Sequence, residues 1–163
     1  MTGKSTLANL LLSSLEGTWC GTGRGEFPGV TSFAYRETLI FTRRDEDCLN
    51  YAQKTQKLYD GQTEHLPSHA ETGSICILES GELELVSRQD TGRSELLVGA
   101  AETRGSLIRI AFVSKSITND PRMLSTSRTI ELEGDTLRYE MSMHTTKVEQ
   151  LTPHLKISLQ RVK

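Results

Sequence analysis

From Ser32 onward, apolar and polar residues change places with a period of two. In "SFAYRETLIF", Phe33, Tyr35, Leu39 and Phe41 fall on one face, with Ser32, Arg36 and Thr38 opposite. "GELELVS" alternates Leu83 and Leu85 with Glu82 and Glu84. "TLRYEMSMHT" sets Leu137, Tyr139, Met141 and Met143 against Arg138, Glu140, Ser142 and His144, and "HLKISLQRV" sets Leu155, Ile157 and Leu159 against Lys156, Ser158 and Gln160. Such alternation predicts half-buried strands. Asp60-Gly61, Ser80-Gly81, Thr91-Gly92, Arg104-Gly105 and Gly134-Asp135 supply turns between them. Ten strands are predicted, near 17–25, 32–42, 47–57, 69–78, 82–88, 92–101, 105–112, 124–133, 136–144 and 154–162. Only residues 5–14 and a turn near 115–119 read as helical.

Ten short strands joined by tight turns imply an all-β fold, an antiparallel sheet that closes into an up-and-down β-barrel and so loses its exposed edges. A sandwich is the alternative. A barrel of more than eight strands is too wide for its own side chains to fill, which favours an internal ligand. No repeat or linker divides the 163 residues, so one domain spanning 1–163 is expected.

Composition narrows the function classes. No apolar run is long enough to span a membrane as a helix, and "LANLLL" lacks the length and cleavage pattern of a signal peptide. A net charge of −2 without a basic stripe argues against nucleic acid. Cys20, Cys48 and Cys76 are odd in number and in no metal-binding pattern, which predicts reduced thiols in a soluble cytoplasmic protein.

Two glycine clusters invite chemistry. "MTGKST" carries the Gly3-Lys4-Ser5 end of a phosphate-binding loop, but the earlier glycine and the launching strand would fall before Met1. The plainer reading has Thr2 or Ser5 capping an amphipathic helix that buries Ala8, Leu11, Leu12 and Leu15. In "GTWCGTGRGEFPGV", Trp19, Gly21, Gly23, Gly25 and Phe27 share one parity. Three glycines on one face leave a strip without side chains, either for a flat ligand or for close packing of a coiled strand against another wall; packing is the favoured reading. Trp19 is expected to plug the bottom of the barrel.

These residues also carry a resemblance. Gly17-x-Trp19-x-Gly21-x-Gly23-x-Gly25 followed by Phe27-Pro28 resembles the signature of the nitrobindins, small haem-binding β-barrels related in shape to fatty-acid-binding proteins. The similarity continues through "LNYAQKT", "PSHAETG", "GELEL", "GDTLRYEMSM" and "LTPHLKISLQR", in the same order and over nearly everything after the first helix. It implies ten antiparallel strands and ferric haem b held by one axial histidine, His154, with the second pocket histidine, His69, across the haem. It places Met143 in the pocket and Gly29 where relatives carry a threonine close to the haem. On a weaker alignment it sets Lys115 beside a propionate. An imidazole at the iron is sound chemistry. The implied activity is isomerisation of peroxynitrite to nitrate, together with binding of nitric oxide; His69 would orient the incoming anion or a water.

Some details cut across that picture. His154 has opposite parity to Leu155, Ile157 and Leu159, so either Pro153 keeps it in the preceding turn or the cavity lies on the face of Ser158. His65 and His69 have a helical metal-ligand spacing, yet Pro67 stands between them, and His144 reads as a surface histidine. Ser68, Lys54 and Gln56 depart from the family's methionine, arginine and tryptophan. The rival function is a non-catalytic carrier of fatty acids or similar apolar ligands, clamping a carboxylate with Arg109 or Arg128. A barrel that has lost its ligand is a third. The expected partners are haem and small nitrogen-oxide ligands, with a homodimer left open and neither nucleic acid nor membrane.

Overall fold

The computed structural model describes residues 6–26, 32–58 and 66–163. One helix, α1 (Thr6–Leu15), precedes ten strands: β1 (Gly17–Gly25), β2 (Phe33–Asp45), β3 (Cys48–Leu58), β4 (Leu66–Ile77), β5 (Leu83–Gln89), β6 (Ser94–Arg104), β7 (Leu107–Thr118), β8 (Met123–Glu133), β9 (Thr136–Thr145) and β10 (Val148–Arg161). Each strand pairs antiparallel with its sequence neighbours, and β1 also pairs with β10, so the sheet closes into a barrel. Closure leaves no edge, which excludes the sandwich. Gly3, Lys4, the capping candidates Thr2 and Ser5, Phe27 to Gly29, and His65 lie outside the described residues.

One end of the barrel is filled. Ala8, Leu11, Leu12 and Leu15 form the buried face of α1, packed with Trp19 in the hydrophobic core. Burying each leucine contributes roughly 1.5–3 kcal/mol. Trp19 Nε1 donates to the Leu15 carbonyl at 2.8 Å. The Arg161 guanidinium lies 4.2 Å from the centre of the Trp19 ring and donates to the carbonyls of Ser14 and Glu16. It thereby satisfies orphan carbonyls at the negative end of the helix.

The glycine strip serves packing. A Cβ on Gly21 would stand 2.2 Å from the Ser158 carbonyl oxygen, and one on Gly23 would stand 2.8 Å from that of Lys156. β1 therefore coils directly against β10, and at Gly25 the space is taken by the Phe33 ring.

The other end is open and irregular. Register shifts occur at Ser68 in β4, Lys115 in β7, Leu124 in β8 and His154 in β10, each inserting one extra residue against the partner strand. Bulges of this kind bend strands and increase twist at barrel rims.

Two expectations are corrected. The helical turn near 115–119 does not form: β7 runs on to Thr118, because pairing with β6 satisfies its backbone groups, and the chain turns only at Asn119, with a positive φ of 65°. The three cysteines are not all reduced. Cys48 and Cys76 sit directly opposite each other on β3 and β4 and form a disulfide, leaving Cys20 as the free thiol. That pairing removes the thiol argument for an intracellular location.

Candidate functional site

A cavity of about 570 Å³ occupies the open half of the barrel. Its position follows from the strands. The side chains of β2 that point inward are Phe33, Tyr35, Glu37, Leu39 and Phe41; the first three line the cavity, and Leu39 and Phe41 belong to the core beneath it.

His154 enters this cavity through its bulge. Pro153 pairs with Ser142 and Leu155 with Met141, so His154 is the unpaired extra residue of β10. The bulge lets His154 and Leu155 both line the cavity and resets the alternation for the buried Ile157 and Leu159. The parity conflict thus has neither of its two expected solutions. His154 lies within the strand, 3 % exposed. Its Nδ1 is 2.5 Å from the Thr152 carbonyl oxygen, which can only accept, so Nδ1 is the donor. A carbonyl accepting from one ring nitrogen fixes the orientation of the ring.

Met141, Met143, Leu155 and Phe33 make the apolar wall around it. His69 lines the cavity from β4, with Nε2 3.4 Å from Glu71 Oε2 and Nδ1 3.7 Å from Asp90 Oδ1. Cations stand towards the mouth: Lys57, its Nζ 4.6 Å from the centre of the Phe33 ring, and Arg122 and Lys147. Asp120 pairs with Arg93 at 3.4 Å and with Arg122 at 3.3 Å.

The floor is a polar layer over the apolar core. Arg128 donates to Glu71 at 2.6 Å and to Glu95 at 2.8 Å; Tyr51 also donates to Glu71, and Thr126 to Glu95. Burial alone would raise the Glu71 carboxyl, but the Arg128 charge and hydrogen bonds from His69, Arg128 and Tyr51 hold it well below the usual carboxylate range. Beside this pair, Glu37 accepts from Gln53 at 2.6 Å and from Tyr139 at 2.5 Å, both on Oε1. Burial pushes the Glu37 carboxyl up to about 7.

His154, His69 and Met143 therefore meet on one cavity. Lys115 is exposed on β7 and does not line it, and Gly29 lies outside the described residues. Lys54 and Gln56 have the outward parity of β3, whose cavity residues are Gln53, Thr55 and Lys57. His144 is half-buried and away from the lining. Arg109 sits on the outside, paired with Glu102 and Glu131, while Arg128 is turned inward and spent on two glutamates. Among the described residues no cluster of three His, Cys, Asp or Glu side chains could hold a metal ion unaided.

The family model for the THAP4-like, heme-binding beta-barrel domain matches residues 8–161. The chain belongs to this haem-binding barrel family, the nitrobindins. Among nitrobindins, it is 36% identical over 135 residues to a protein named peroxynitrite isomerase 2 from Mycobacterium marinum, covering 81% of each. It is 36% identical over 151 residues to peroxynitrite isomerase Rv2717c from Arabidopsis thaliana, covering 93% of this chain and 87% of that one. The crystal structure of Rv2717c from M. tuberculosis superimposes with a TM-score of 0.85 at 30% identity, over 96% of this chain and 98% of the other.

The polar floor was missed in the sequence although a signal existed. Glu37 shares the parity of Phe33, Tyr35, Leu39 and Phe41, and Arg128 that of Ile130 and Leu132. A charge on an apolar face of a strand marks a buried polar partner.

Proposed function

We propose that this nitrobindin binds ferric haem b through His154, isomerises peroxynitrite to nitrate and binds nitric oxide. The observation that carries the reading is the bulged His154, its Nδ1 pinned to the Thr152 carbonyl and its ring on an open, methionine-lined cavity. The names of the relatives and the donor chemistry both support this reading.

The residues fit the group. His154 would offer an imidazole nitrogen, Nε2, from a ring anchored at the Thr152 carbonyl. Met141, Met143, Leu155 and Phe33 offer soft apolar surface to a macrocycle. The floor carries Glu37, Glu71 and Glu95, which repel a carboxylate, whereas Lys57, Arg122 and Lys147 stand at the mouth and attract one. A haem would thus enter apolar edge first and leave its propionates outside.

When bound, ferric haem would supply a Lewis-acidic iron for the rearrangement of peroxynitrite to nitrate. His154 would hold the iron through Nε2, with the Thr152 carbonyl keeping the ring from turning. Met141, Met143, Leu155 and Phe33 would shield the group from water on their side. His69 lines the same cavity, with Glu71 and Asp90 facing its two ring nitrogens, and would help to orient the incoming anion or a water. The carrier reading lacks its clamp, since Arg109 is outside and Arg128 is already paired to Glu71 and Glu95.

Hemin titration of wild type, His154→Ala and His69→Ala tests the proposal, followed by protection of free tyrosine from nitration. His154→Ala should stay folded, shift the Soret maximum, weaken hemin binding at least about tenfold and lose protection, while imidazole partly restores the spectrum. His69→Ala should retain hemin and change ligand kinetics. A native spectrum and activity in His154→Ala, with both lost in His69→Ala, would overturn the axial assignment.

A further inference from the structure

The polar layer beneath the cavity contains three carboxyls, Glu37, Glu71 and Glu95, and one guanidinium, Arg128, which is committed to Glu71 and Glu95. Glu37 has only neutral partners, Gln53 and Tyr139, and both use Oε1. Its Oε2 is buried and makes no hydrogen bond, and the buried hydroxyl of Tyr35, two residues along the same strand, has only Tyr139 beside it. Both side chains border the cavity. A buried carboxylate oxygen left unmatched is costly unless something meets it. When Glu37 is ionised, Oε2 calls for a donor, and the excess of carboxyls over guanidinium makes a positive one favourable. Glu37 borders the cavity between the Tyr35 and Tyr139 side chains, a slot that suits a flat group better than a tetrahedral one.

We infer that the cavity floor is a second recognition subsite, for a planar amidinium or guanidinium group, anchored on Glu37 Oε2 with the Tyr35 hydroxyl beside it. The subsite does not depend on haem. Its ligand is a small amidine- or guanidine-bearing molecule that enters by the same mouth, charged group first, the reverse of the polarity expected for a carboxylate-bearing ligand. The groups facing Glu37 are Tyr35 from its own strand, His69 and Glu71 from β4, Arg128 from β8 and Tyr139 from β9. Ionisation of Glu37 strengthens the site, so binding should tighten from pH 6 to pH 8.

The test uses the full chain, stripped of hemin and shown to be folded by circular dichroism, with benzamidine as probe and neutral benzamide as control, followed by calorimetry. Benzamidine should bind saturably with one-to-one stoichiometry, at least about tenfold more tightly than benzamide, the difference a charge-assisted pair makes. Glu37→Gln keeps shape and the Tyr139 contact, and should remove that preference and the pH dependence together. Tyr35→Phe should weaken benzamidine several-fold without abolishing the preference. Equal binding of the two probes, no saturable benzamidine binding, or an unchanged preference in Glu37→Gln would each overturn the subsite. Because no hemin is present, these outcomes are separate from those of the His154 experiment.

Discussion

The residue that departs most from what its neighbours predict is Glu37. On an apolar strand face, between Tyr35 and Leu39, its carboxyl is raised by burial to about 7, while Glu71 in the same layer is held low by Arg128. The two have opposite consequences for stability. Glu37 binds its proton more tightly folded than unfolded, so stability falls as pH rises from the ordinary carboxylate value near 4.5 to about 7. The loss should be roughly 3 kcal/mol, since each pKa unit is worth about 1.4. Glu71 contributes stability above its unfolded value, and that contribution disappears as pH drops below about 4.5. Denaturant melts between pH 4 and 8 should therefore peak near pH 4.5, and Glu37→Gln should flatten the decline towards pH 7.5. An equally steep decline in Glu37→Gln would place its origin elsewhere. Alternation was legible in the sequence, but reading it through its apolar members alone hid the charged member of the same row. His154 was legible only through family resemblance, since a lone histidine near a strand start carries little chemical signal.

At the scale of elements, the ten strands and the helix were legible because most strands alternate apolar and polar residues and tight turns separate them. The bulges were not. An extra residue at Ser68, Lys115, Leu124 or His154 changes no composition and breaks no pattern longer than two residues. Yet the bulge at His154 decides whether the imidazole faces the cavity, and the adjoining β1–β10 seam holds β10 in place. Gly23 lies in that seam, opposite Ile157. In Gly23→Val, the new Cβ would meet the Lys156 carbonyl at 2.8 Å and the Ile157 side chain at 2.9 Å. Because one obstacle is backbone, β1 must move away from β10. The variant should lose about 1–3 kcal/mol in chemical denaturation and bind hemin more weakly, through a displaced His154 rather than a blocked mouth. Unchanged stability and unchanged hemin affinity together would make the glycine strip incidental.

Across the whole molecule, the barrel divides into two halves with different tasks. The closed half, sealed by α1, Trp19 and Arg161, holds the continuous apolar core. The open half replaces that core with a cavity and a polar floor, and gives up packing energy that a bound group can return. A ligand that binds only the folded state adds about 2.7 kcal/mol at a hundredfold excess over its dissociation constant. For a domain of this size that corresponds to a melting temperature higher by about 5–10 °C. Wild type with hemin should show that rise, and His154→Ala should lose most of it at the same hemin concentration. Glu37→Gln should keep it, because Glu37 stands in the floor and His154 on the wall. The comparison separates a barrel stabilised by iron ligation from one merely filled by an apolar molecule. If His154→Ala rises as far as wild type, burial of the macrocycle supplies the stabilisation and the histidine bond adds nothing to it.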